Sequence, residues 1–190
     1  MYQTTRNALA ASLKKLLQEK PLEKISIRDI TEDSEVNRQT FYYHYKDIYD
    51  LIEWIFIAEG TKALGEYSAC KGFQERFVRI FYFLLENQRL VISAFHSIGR
   101  EQLERFLYGQ VYNLIMDVVN KEAESMNVSD SYKIYVADFY KYAIVGAMFQ
   151  WIRTGMEEDP KAIVHNISQF ISGDIYNSLL KYQNKEGITT

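Results

Sequence analysis

Apolar residues return at helical spacing from Thr5 onward. Ala8, Leu9, Ser12 or Leu13, Leu16 and Leu17 form one stripe, and Pro21 ends it, which predicts a first helix. Ser26 precedes Ile27 and has Asp29 three positions on, a capping-box pattern with Asp where Glu or Gln is usual, so a short second helix is expected over residues 27–34. Asn37 can cap a third helix by accepting from the amide of Gln39 or Thr40, with Val36 and Phe41 at the two positions of a hydrophobic staple. Two short helices therefore flank a turn of about three residues.

Asp47 is the next N-cap, and Ile48, Leu51, Ile52, Ile55 and Phe56 form a stripe that runs to about Gly65. The stretch 65–72 collects Gly65, Ser68, Cys70 and Gly72 without period and reads as a break. Beyond it, helices are predicted over residues 73–87, 89–97, 101–124, 129–154 and 160–182. Gly155 fits a left-handed C-terminal cap, and Asp159 with Pro160 fits an N-cap followed by a first-turn proline. The expected fold is all-α with about nine helices: a three-helix head over residues 1–47 and a helical body over residues 48–190.

Composition supports that picture. Hydrophobic residues at 47% and charged residues at 25% are enough for a packed core, and 2 Pro in 190 residues permit long helices. The single cysteine, Cys70, excludes an intrachain disulfide and any thiol cluster for a structural metal, which suits a reducing cytoplasm. Residues 1–11 lack the apolar run of a secretory signal. Residues 142–152, interrupted by Gln150, fall short of the roughly 20 a membrane-spanning helix needs. A soluble cytoplasmic protein is expected. His96 and His165 have no metal-ligand spacing, and no Ser-His-Asp order or phosphate loop is present, so neither an enzyme nor a cofactor is expected.

The net charge of -3 disfavours non-specific coating of nucleic acid, but its distribution is informative. Residues 36–46 hold Arg38 and Lys46 and no acid, and Asp47 and Asp50 follow at once. Within the third helix Phe41 and Tyr45 share the inward face, which leaves Arg38, Gln39, Tyr42 and Tyr43 on the outer one. A solvated surface could carry the same residues. Yet Arg can bond guanine bidentately, Gln can do so with adenine, and phenols reach phosphates or thymine methyls, as a major-groove reader requires. His44 and Lys46 close the helix where a phosphate could lie.

The segment 25–52, ISIRDITEDSEVNRQTFYYHYKDIYDLI, resembles the helix-turn-helix of TetR-type regulators. Their usual form is a Thr-rich start, Ile-Ala, a Val-Ser pair, Thr-Leu-Tyr-x-His-Phe, a Lys, a cap residue and a Leu-containing helix. The resemblance puts Ile30 at a core position, Val36 and Asn37 in the turn, Thr40, Tyr42 and His44 in the recognition helix and Asp47 at the next cap. It implies that Thr40, Tyr42 and Lys46 contact phosphates and that Arg38, Gln39, Tyr43 and His44 approach bases, with Asn37 starting the DNA-facing helix. Two positions depart from the pattern. Glu35 stands where the family usually has Gly, and Ile48 stands where a Lys commonly follows the cap, which leaves Lys46 and the amides of the fourth helix to hold the phosphate.

Residues 146–160, GAMFQWIRTGMEEDP, resemble the penultimate helix and cap of many TetR-type regulators, and together with residues 37–56 are most similar to the dihydroxyacetone-kinase regulator branch. The resemblance implies a homodimer on palindromic double-stranded DNA. Its interface would use Tyr135, Phe139, Tyr142, Gly146, Ile163, Ile167, Phe170 and Ile171 in a four-helix bundle, although an intrachain core would show the same periodicity. Tyr82, Phe95, His96, Tyr112, Asp138 and Trp151 could line an effector cavity or serve as plain core. Control by a small molecule and control by a kinase-like protein partner both fit.

Overall fold

The structure is a computed structural model that describes residues 2–65, 72–171 and 173–186. Among the described residues it is all-α. Ten helices run in order: α1 (Tyr2–Leu16), α2 (Ile27–Asp33), α3 (Arg38–His44), α4 (Ile48–Gly65), α5 (Phe73–Glu86), α6 (Gln88–Phe95), α7 (Arg100–Glu122), α8 (Asp130–Arg153), α9 (Pro160–Ile171) and α10 (Asp174–Glu186). A 3-10 turn, Leu22–Lys24, follows Pro21. Residues 66–71, including Ser68 and Cys70 of the expected break, lie outside the described residues.

The count of ten replaces the expected nine because the last predicted helix is two. Ile163, Ile167, Ile171, Ile175 and Leu179 recur every four residues and predict one continuous helix. The chain instead stops α9 at Ile171 and restarts at Asp174, with Gly173 at φ 83°. A left-handed backbone carries no Cβ penalty at glycine. The Gly173 carbonyl then accepts from the Asn177 amide at 2.9 Å and begins α10. The expected left-handed cap at Gly155 is present at φ 82°, and Met156 follows it at φ 62° with its side chain buried. The Met156 amide returns to the Trp151 carbonyl at 2.9 Å, which closes the end of α8.

The residues fall into two compact units, Met1–Glu66 with Phe83–Phe106, and Tyr67–Tyr82 with Leu107–Thr190. In the first, Leu9, Leu13, Ile30, Phe41, Leu51, Ile52 and Ile55 are fully buried, so α1 to α4 share one core. Ser12 sits inside it without penalty because its hydroxyl donates to the Ile30 carbonyl at 3.1 Å. Farther along, Phe56 stacks on Phe106 with ring centres 5.7 Å apart. Gly60 lies against the same ring, and a Cβ there would come within 2.4 Å of the Phe106 Cζ, so no larger residue fits without displacing it. Arg105 bridges Glu53 and Glu101 at 2.7 and 2.8 Å, and Arg89 donates to the Gln18 carbonyl at 2.6 Å. In the second unit Phe77, Phe81 and Trp151 form an aromatic chain, and Trp151 Nε1 donates to the Glu158 carbonyl at 3.0 Å.

Candidate nucleic-acid interface

The start of α2 is built as its sequence requires. The Asp29 amide donates to the Ser26 hydroxyl at 3.2 Å and the Ser26 amide donates to the Asp29 carboxylate at 2.7 Å, a complete capping box. The Ser26 amide, then its hydroxyl and the neighbouring Lys20 hold the Asp29 carboxyl down to about 2. At the other end Ser34 caps α2 and Glu35 takes φ 54°, while the Val36 amide reaches back to the Thr31 carbonyl at 3.0 Å. The turn is therefore left-handed at the position where a glycine would be at ease. Glu35→Gly is expected to stabilise the fold by about 1 kcal/mol, because an L side chain is disfavoured there by roughly that amount. A denaturant midpoint that stays put or falls would show that Glu35 bears no such cost.

Asn37 accepts from the Gln39 amide at 2.7 Å and starts α3. Phe41 and Tyr45 are buried, and their rings meet at 5.8 Å. Arg38, Gln39, Tyr42 and Tyr43 are exposed on the other side, Tyr43 to 75%, and Thr40 is half-buried. The Arg38 guanidinium lies 5.6 Å from the Tyr42 ring centre and donates to the Tyr42 hydroxyl at 3.3 Å. That contact holds both side chains outward together.

Lys46 is exposed just past α3. The start of α4 is capped by Asp47, as the sequence predicts. Asp47 accepts from the Asp50 amide at 2.9 Å, and Asp50 accepts from the Lys46 backbone amide at 2.9 Å. Asp47 thus serves the Asp50 amide in the first turn of α4, and Asp50 in turn holds the backbone amide of Lys46, whose side chain stays exposed. His44 is half-buried, and burial followed by the charge of Arg6 pushes its imidazole below the usual histidine range, towards the neutral form. Arg6, absent from the expected set, packs 5.8 Å from both the Tyr45 and Trp54 rings. Its only sequence signal was a lone cation on α1.

The six candidate effector residues divide between the two units. Phe95 and His96 belong to the first unit and the other four to the second. Phe95 is buried beneath the Arg100 guanidinium, and His96 is an exposed helix end. Trp151 is core. Asp138 accepts from Lys141 at 2.6 Å, and the same ammonium lies 5.4 Å from the Tyr112 ring and 4.3 Å from that of Tyr142. Burial lowers the Lys141 pKa, but Asp138 and Tyr142 outweigh it and the net direction is up, so Asp138 and Tyr112 serve to hold this cation. Tyr82 alone lines one of the described clefts, an open one of about 690 Å³ with Arg79, Lys161 and His165.

The candidate interface residues separate by exposure. Tyr135, Phe139, Tyr142 and Gly146 share an outward face of α8, and Phe170 is 73% exposed on α9. Ile167 is half-buried. Ile163 and Ile171 are 7% and 6% exposed within the single chain, where they pack in its own core.

Comparison with known proteins agrees with this geometry. The family described as bacterial regulatory proteins, tetR family, matches residues 9–55, and a transcriptional regulator C-terminal region matches residues 72–173. The HTH-type dhaKLM operon transcriptional activator DhaS of Lactococcus lactis subsp. lactis (strain IL1403) is 26% identical over 142 residues, 74% of this chain and 75% of that protein. The structure of the dihydroxyacetone kinase operon activator DhaS superposes with a TM-score of 0.71 at 22% identity, covering 94% of this chain and 98% of the other. That of NalD, the secondary repressor of the MexAB-OprM multidrug efflux pump in Pseudomonas aeruginosa, gives 0.59 at 16% identity over 93% and 98%. With one of these family descriptions covering the helix-turn-helix and the other more than half of the chain, this protein belongs to the TetR family of bacterial regulatory proteins.

Proposed function

We propose that this protein is a cytoplasmic transcriptional regulator that works as a homodimer, each copy reading one half of a palindromic operator with the outer face of α3. The observation that carries this reading is a seven-residue helix whose inner side is sealed by Phe41 and whose outer side displays Arg38, Gln39, Tyr42 and Tyr43. Residues 1–47 act as the DNA-binding part, with Asn37, Thr40, His44 and Lys46 completing its surface, and residues 48–190 as the dimerising and regulatory part. The exposed α8 and α9 aromatics supply the two-fold contact. Control enters through the body, from a small effector or a kinase-like protein partner; the likeness to DhaS favours the dihydroxyacetone-kinase regulator branch.

Two identical heads need half-sites separated by one helical turn, about 10 base pairs, or a multiple of it. Selection of bound duplexes from a random pool is expected to recover an inverted repeat with that spacing. Recovery of asymmetric sites, or of no common sequence, would count against the reading.

A further inference from the structure

The Lys141 ammonium on α8 is almost closed off from solvent, its side chain 12% exposed. Burying such a charge is costly unless it finds partners. Asp138, one turn back on the same helix, accepts from it at 2.6 Å, and Tyr108 and Tyr112 bring their rings from α7 to 5.7 and 5.4 Å. The nearest ring belongs to Tyr142, 4.3 Å away and the next residue along the chain. Successive residues of a helix point about 100° apart, so such a pair does not ordinarily meet. Here the Tyr142 ring turns over the ammonium towards α7, where it meets the Tyr108 ring edge to face at 5.4 Å. It is still 59% exposed, in the outward row that holds Tyr135 and Phe139.

The pose of Tyr142 is therefore set by a charge as well as by ring packing. A cation against an aromatic face attracts it weakly while water covers the ring and more strongly once water is excluded. Pairing of two copies through α8 covers that ring. We infer that Lys141 is a positioning residue for the two-fold contact: its ammonium, anchored by Asp138, fixes the Tyr142 ring over the seam of α7 and α8, and the second copy closes on the ring so fixed. The inference rests on the proposed homodimer. It gives Asp138 and Tyr112, two of the expected effector residues, a part in the dimer contact.

Sedimentation of a dilution series gives the dimer Kd of the full chain, and fluorine NMR with 3-fluorotyrosine in place of Tyr142 reports on the ring itself. Lys141→Met keeps the length of the side chain and removes its charge. It is expected to raise the dimer Kd about tenfold, about threefold for each of the two rings, and to move the fluorine resonance. Lys141→Arg keeps a cation and should return both quantities to near the parent's values. Asp138→Asn, which leaves the ammonium without its anchor, should move both in the same direction by less. Should Lys141→Met not fold, Asp138→Asn carries the test alone. A dimeric parent whose Kd is unchanged by Lys141→Met and by Asp138→Asn, or a loss that Lys141→Arg does not repair, overturns the inference and leaves the homodimer standing. A parent that stays monomeric at every concentration overturns the homodimer and the inference with it, so the two failures are told apart.

Discussion

Phe139→Glu is expected to leave a folded chain that sediments as a monomer at micromolar concentration and no longer holds a palindromic duplex. Phe139 is 62% exposed, with Tyr135 one turn before it and Tyr142 one turn after, so three large rings stand outward along α8. An apolar row of that kind on a helix marks an association surface. Burying one Phe contributes about 1.5–3 kcal/mol, and a two-fold contact uses each residue twice, so the pairing loses about 3–6 kcal/mol. The substitution also places two carboxylates near the axis. Dimer Kd should rise by at least about two to four powers of ten. Because the side chain is exposed, the helical circular dichroism should be kept. A variant that sediments as a dimer with undiminished strength would remove this face of α8 from the interface.

Much of the head was legible because short-range chemistry decides it. Ser26 with Asp29, Asn37 with Gln39, and the inward pair Phe41 and Tyr45 are local rules that tertiary packing left in place. The body was less so. The spacing of four from Ile163 to Leu179 continues across Gly173, because Ile171, Ile175 and Leu179 stay buried on both sides of the break, so periodicity alone could not reveal it. Periodicity also cannot separate a core from an interface. Ile163 and Phe170 both lie on apolar stripes of α9, yet one is 7% exposed and the other 73%. Aromatic type likewise says nothing about which unit a residue joins, and Asp138 has a partner, Lys141, three residues away on its own helix.

Tyr42→Ala combined with Lys46→Ala tests the account at its base. Both side chains are exposed and the phenol is held outward against Arg38, so the pair should leave the unfolding midpoint within about 1 kcal/mol of its original value. On DNA the same pair should remove one neutral and one charge-assisted phosphate contact from each head. At about 1 kcal/mol for each, four contacts over the dimer correspond to a loss of two to three powers of ten in affinity. The slope of log affinity against log salt should fall by about two, one for each Lys46 lost. The deciding measurement is an anisotropy titration of the selected operator with the parent and the doubly substituted chain across a salt series. A folded double variant with that loss and the shallower slope is the expected result. A folded double variant that binds with the parent's affinity and salt slope would show that the outer side of α3 does not meet DNA.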